Sequence, residues 1–186
     1  MLQAVRVPRQ GGFTLLELVV VLVITGILGA VAASRFFDKA SFDAASYAEQ
    51  TRALLRYAQK NAVAQNRPVF VVVGSGRIAL CYNYQLDASC AGANRVLAPG
   101  GSSSGTAATL SACAAPTWLC EATPPNLSLT VLPAAAYFYF DALGRPFASA
   151  DTAGSATSSF NGMLLRVSGD GRNTDVTIER ETGYVY

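Results

Sequence analysis

Phe13-Thr14-Leu15-Leu16-Glu17-Leu18-Val19-Val20-Val21-Leu22-Val23-Ile24-Thr25-Gly26-Ile27-Leu28-Gly29-Ala30-Val31-Ala32-Ala33 is a run of 21 residues in which 16 are apolar and one, Glu17, is charged. An α-helix rises about 1.5 Å per residue, so this length reaches ~30 Å, the thickness of a bilayer's hydrocarbon core. Ahead of it stand twelve residues, MLQAVRVPRQGG, with Arg6 and Arg9 and no acid. Basic residues before an apolar run hold the N-terminus in the cytoplasm. Everything after Ala33 is therefore expected beyond the inner membrane.

Composition narrows the remainder. The chain has 186 residues, 51% hydrophobic and 14% charged, with a mean hydropathy of +0.30, which excludes a disordered polyelectrolyte. Fourteen Lys+Arg against twelve Asp+Glu leaves only +2, too little for a general nucleic-acid surface. Histidine is absent, which removes the commonest general base, every His-containing triad and most zinc sites. Cys81, Cys90, Cys113 and Cys120 are an even count in an exported chain, so disulfides are expected. Short loops close most easily, favouring Cys81–Cys90 and Cys113–Cys120 among the three pairings. A four-cysteine zinc site is the rival, but gaps of eight and six residues exceed the usual ligand spacing.

Three readings compete for the apolar segment: a plain transmembrane anchor, a signal peptide cut after Ala32 in Ala30-Val31-Ala32, and one that explains Glu17. A carboxylate inside an apolar run is costly, so it needs a cationic partner. Gly12-Phe13-Thr14-Leu15-Leu16-Glu17 closely resembles the processing site of type IV prepilins and type II secretion pseudopilins. The resemblance implies cleavage after Gly12 by a prepilin peptidase and N-methylation of Phe13. It also implies that Glu17, as fifth residue of the mature chain, pairs with the N-terminal amine of a neighbouring subunit during assembly. One departure is Ser34, where many major pilins carry a helix-kinking proline; this leans towards a minor pilin or minor pseudopilin.

Ser41 to Asn66 contains no Gly or Pro, and Ala44, Ala48, Thr51, Leu55, Ala58 and Ala62 recur at three- and four-residue steps. That predicts an amphipathic continuation of the helix, ended by Asn66-Arg67-Pro68. The expected divisions are a leader at 1–12, a transmembrane and filament-core helix at 13–34, an amphipathic helix at 35–66 and a β-rich head at 67–186. Strands are expected at Pro68–Val73, Arg77–Tyr84, Leu127–Leu132, Ala136–Asp141, Met163–Ser168 and Asp175–Arg180, with a short one at Tyr184–Tyr186. Ala98–Pro116 is rich in Gly, Ser and Ala and reads as a surface loop. The fold class is α+β: a long N-terminal α-helix packed on an antiparallel β head, pilin-like by the resemblance.

Several motifs dissolve on inspection. Gly74-Ser75-Gly76-Arg77-Ile78-Ala79 fits G-x-G-x-x-A, but a strand-like stretch follows where a dinucleotide site needs a helix. Gly101-Ser102-Ser103-Ser104-Gly105 fits the nucleophile elbow, but the chain holds no histidine to take the serine's proton. Asp170, Asn173 and Asp175 offer oxygen ligands, yet Asp/Asn/Gly turns are common without metal. No metal and no cofactor is expected. Tyr137-Phe138-Tyr139-Phe140 reads as a strand buried on both faces.

One long helix followed by a hairpin after Pro68 resembles the group of minor pilins and minor pseudopilins related to the H pseudopilin of type II secretion. Some of that group bind DNA through a basic C-terminal Gly-Arg-x-Arg segment. The corresponding Gly183-Tyr184-Val185-Tyr186 has no arginine, and phosphate contacts need cations, which argues against nucleic acid. Residues 140–146 and 177–184 resemble minor pilins of mannose-sensitive haemagglutinin pili. The resemblance implies a non-enzymatic filament subunit, single-pass in the inner membrane with its head in the periplasm, then part of a pilus or pseudopilus near the tip. Its partners would be other pilin subunits, the prepilin peptidase and the inner-membrane assembly platform. The competing reading is a soluble periplasmic binding protein released after Ala32.

Overall fold

A computed structural model describes the backbone at residues 13–36, 39–84 and 90–186, and the side chains at 13–31, 42–84 and 90–186. Two compact units divide between Lys39 and Ala40. The first holds one α-helix, α1 (Leu15–Phe36). The second begins with α2 (Lys39–Gln65) and carries eight strands and a short helix among its described residues. Whether α1 and α2 form one continuous helix rests on residues 37 and 38, which lie outside the described ones.

All six residues of the α2 stripe, from Ala44 to Ala62, are buried, and Tyr47 and Leu54 widen it. The helix stops where expected. Asn66 turns left-handed at φ 49°, and Arg67 donates its amide to the Ala62 carbonyl at 3.2 Å. This C-cap leaves Pro68 to start the next segment in extended geometry.

β1 (Val69–Gly74) and β2 (Arg77–Cys81) form the hairpin, with Gly74 opposite Arg77. Ser75 and Gly76 both take positive φ, 53° and 68°, the geometry of the two-residue turn that matches strand twist. That turn is all that the G-x-G-x-x-A match amounts to. β3 (Cys120–Ala122), β5 (Tyr137–Phe140) and β6 (Pro146–Ala148) complete a five-stranded sheet in the order β3-β2-β1-β5-β6. β4 (Ser128–Leu132), β7 (Met163–Gly169) and β8 (Arg172–Ile178) make a second, three-stranded sheet. Every strand pair is antiparallel.

The larger sheet separates two cores. Val69, Val71, Val73, Phe138 and Phe140 join the α2 stripe and the inner residues of β7 and β8. Phe70, Val72, Tyr139, Trp118 and Phe147 fill the other side with all four cysteines. β1 and β5 are thus buried on both faces, as the aromatic run suggests. Each fully buried large side chain contributes ~1.5–3 kcal/mol.

Two expectations need correction. β2 ends at Cys81 rather than Tyr84, because Cys81 is bonded to Cys90 and the Tyr82 amide turns to the Asn94 carbonyl at 2.7 Å. The Ala98–Pro116 segment contains α3 (Ala107–Cys113) rather than loop alone. Thr106 caps α3 by accepting the Thr109 amide at 3.2 Å, and Ala114 closes it left-handed. The Cys113–Cys120 disulfide fastens its end to β3.

Candidate assembly site

The first turn of α1 is built by Thr14. Its hydroxyl accepts the Glu17 amide at 3.3 Å, and its carbonyl accepts the Leu18 amide at 3.2 Å. Thr14-x-x-Glu17 has the spacing of a capping box, which places a carboxylate at the third helical position, where the helix dipole favours negative charge. Thr14 was not singled out from the sequence, although the Thr-x-x-Glu spacing was there to signal it. Phe13 and Glu17 both lie exposed at this end of the helix. Gly12 and the rest of 1–12 lie outside the described residues.

Beyond Glu17 every described side chain of α1 is exposed. Leu18, Val21, Leu22, Ile24, Ile27, Leu28 and Val31 each keep more than half of their surface open. A protein standing alone in water rarely displays so long an apolar surface, so it calls for a cover of lipid or of other helices. Thr25 suits such a cover, because its hydroxyl donates back to the Val21 carbonyl at 2.8 Å. The Thr25 hydroxyl then needs no water. Among the described residues no helix is long and apolar enough to cross a membrane; the side chains described on α1 end at Val31.

In the second unit α2 is stapled to the end of the chain. Arg56 donates through Nε and Nη2 to the Val185 carbonyl at 3.1 and 2.9 Å. Gln59 Nε2 donates to the carbonyls of Gly144 and Thr182 at 2.9 and 2.7 Å. Tyr186 in turn pairs with Thr177 of β8 in both directions, at 2.8 and 3.0 Å. Residues 183–186, considered above as a counterpart of a DNA-binding tail, are here part of the head's internal bonding.

The disulfides join Cys81 to Cys90 and Cys113 to Cys120, with Cα separations of 5.6 and 5.9 Å. Trp118 lies between them and donates its indole N–H to the Cys113 carbonyl at 3.0 Å. Ser104 of the elbow-like match has a structural part. Ser104 donates its amide and hydroxyl to the two carboxylate oxygens of Glu121, at 2.6 and 2.5 Å. Two of the three oxygen-ligand candidates in the last hairpin are spent within it. Asp175 takes a bidentate pair from Arg166 at 2.8 Å each, and Asn173 accepts from Ser168 at 2.7 Å. The described residues bring together no metal-binding group of His, Cys, Asp or Glu.

The fold resembles that of the type IV minor pilin FimU of Pseudomonas aeruginosa strain PAO1 in two crystal forms. In one, identity is 17% over 81% of this chain and 90% of that one, with a TM-score of 0.47. In the other, identity is again 17%, over 76% and 89% of the chains, with a TM-score of 0.44. No curated protein sequence matches significantly. The prokaryotic N-terminal methylation motif matches residues 7–33, a span that includes the Thr14 cap and Glu17. The type II transport protein GspH family matches residues 47–182, from Tyr47 on the buried face of α2 to Thr182, whose carbonyl Gln59 holds. Since that match spans more than half of the chain, the protein belongs to the type II transport protein GspH family, and it is a structural minor pilin or pseudopilin that assembles with other pilin subunits.

Proposed function

We propose that a prepilin peptidase removes residues 1–12, cutting after Gly12, and that Phe13 is then N-methylated. The mature subunit waits in the inner membrane as a single-pass protein, with residues 13–34 as the span and the head in the periplasm. The assembly platform then draws it into a type IV pilus or type II secretion pseudopilus, at or near the tip. It performs no catalysis.

The observation that carries this reading is the pairing of an exposed apolar helix with a single carboxylate in its capped first turn. The helix surface supplies the drive for packing among neighbouring helices. Glu17 supplies the register, since a buried carboxylate is tolerated only where a cation meets it. Cleavage after Gly12 would leave a new amine four residues before Glu17, and a neighbour's amine at the same depth is the nearest cation. N-terminal sequencing of the mature protein tests the proposal: Phe13 is expected as the first residue. A chain beginning at Ala33 would instead establish signal-peptidase release and a soluble periplasmic protein.

A further inference from the structure

Arg67 and Arg95 differ from most arginines of the head. Arg52, Arg145, Arg166 and Arg180 each meet a carboxylate, and Arg56 and Arg77 are spent on backbone carbonyls. Arg67 and Arg95 line one cleft of about 470 Å³, between the end of α2 and residues 92–99, and among the described residues no Asp or Glu lines it.

Both guanidinium groups are held in place, and among the described residues neither forms an ion pair. Arg67 donates Nε and Nη2 to the side-chain oxygen of Gln65, at 3.0 and 2.6 Å, and lies over the Tyr82 ring, 3.3 Å from its centre. Arg95 donates Nε to the Cys90 carbonyl at 3.0 Å and lies 4.7 Å from the centre of the Trp118 ring. Stacking on aromatic rings orients an arginine yet leaves its outer N–H groups free to bond. Among the described residues, Nη1 of Arg67 and both Nη atoms of Arg95 have no acceptor.

The third wall is also a donor. The Tyr82 hydroxyl accepts from Asn61 at 3.2 Å and from Gln65 at 2.9 Å, and its own proton has no acceptor among the described residues. A cleft that offers hydrogen-bond donors and positive charge, with its one amide oxygen already used by Arg67, is complementary to an oxyanion. Tyr57 and Leu97 give it an apolar lip, and Leu97 is 68% exposed.

We infer that this cleft binds a carboxylate of an acidic peptide segment that carries an apolar side chain next to the acid. The segment would be presented by a partner protein. Two arginines within one small cleft suit a single acidic group. A nucleic acid would need cations spread along a track, and the mature side chains, without Arg6 and Arg9, carry twelve basic and twelve acidic groups.

Trp118 is the chain's one tryptophan, and it lies beneath Arg95, so its fluorescence reports on the cleft. Full-length protein in detergent micelles is titrated with acetyl-leucyl-glutamyl-amide, with acetyl-leucyl-glutaminyl-amide as its neutral twin. The acidic peptide is expected to give a saturable change that weakens as salt rises, and the neutral one none. R67Q and R95Q are each expected to weaken binding about tenfold, the scale of one charge-assisted hydrogen bond, with circular dichroism unchanged. R95Q also loses the bond to Cys90; if it misfolds, R67Q decides the matter, since Arg67 is exposed. Equal binding of the two peptides, no saturable change with the acidic one, or wild-type affinity in R67Q overturns the proposal. So does tighter binding of a single-stranded oligothymidylate that both substitutions abolish, which would make the cleft a nucleic-acid contact.

Discussion

Glu17 shows how one residue can be read twice. From composition alone it is a flaw in an apolar run, and in the folded chain it is the third residue of a capped helix. Its amide is held by Thr14 while its carboxylate lies exposed. The cap needs the Glu17 backbone rather than its side chain, so substitution by alanine should spare the helix. In Glu17→Ala, leader removal is expected to proceed as in the wild type, giving the same shifted band on a gel. Incorporation into sheared filaments is expected to fall sharply. Wild-type incorporation of the variant would show that the carboxylate does not set register. The Thr14 bond was legible in advance as a Thr-x-x-Glu spacing. The cation that answers Glu17 belongs to another molecule by the proposed reading, and no single chain can display it.

At the scale of elements, regular spacing was legible and short pairing was not. The α2 stripe is periodic from Ala44 to Ala62, so its buried positions follow from the 3.6-residue repeat. The β1–β2 hairpin follows from a valine run and a Gly-Ser-Gly turn. β3 and β6 have three residues each, too few for an alternation to show, and each exists because a longer neighbour offers an edge. α3 hid in a low-complexity stretch because its stability comes from a threonine cap and a disulfide more than from an apolar face. The staple on α2 was equally hidden, since its acceptors are backbone carbonyls that no side-chain pattern reveals. Its tightest point is Gly183, at φ +68°. An added Cβ there would lie 2.9 Å from Phe140 and 3.0 Å from both Gln59 Nε2 and the Gly144 carbonyl. Gly183→Ala therefore combines a left-handed backbone with a clash and should cost at least about 2 kcal/mol. A lowered urea midpoint of the full-length protein in micelles checks it; an unchanged midpoint would mean that the tail can leave α2 freely.

The whole molecule combines a basic N-terminal stretch, an apolar helix and a head with balanced ions. Removal of Arg6 and Arg9 in the proposed processing leaves mature side chains that sum to zero, so the +2 of the full chain belongs to the leader. Within the head three carboxylates lie below their ordinary range. Asp175 is lowered by its hydrogen bonds and charge pairing with Arg166. Glu179 is lowered by the Thr182 amide and hydroxyl. Burial pushes Asp151 up, but hydrogen bonds from Ser159 and Ala148 outweigh it. A depressed acid stabilises the fold while ionised, so the contribution is complete above the unfolded values near ~4 and fades as pH falls through the folded ones. Urea midpoints are expected to hold steady from neutrality to about pH 5 and to drop below about pH 4. The Tyr139 hydroxyl, which burial pushes up to about 12, acts at the opposite end. It favours the fold below pH ~10 and loses that effect as pH rises towards its own value.

The bonds from α2 to Thr182 and Val185 join residues 123 and 129 positions apart. A ribosome makes the chain from its N-terminus, so α2 exists long before the carbonyls that hold it. Through most of synthesis its stripe of Ala44, Ala48, Leu55, Ala58 and Ala62 has no final place to rest. Closure of the head is therefore a late event, tied to the arrival of the last strands. A nascent subunit whose α2 is still open would present a second sticky helix face in addition to that of α1, so the timing of translation becomes part of how the subunit avoids joining neighbours in the wrong way.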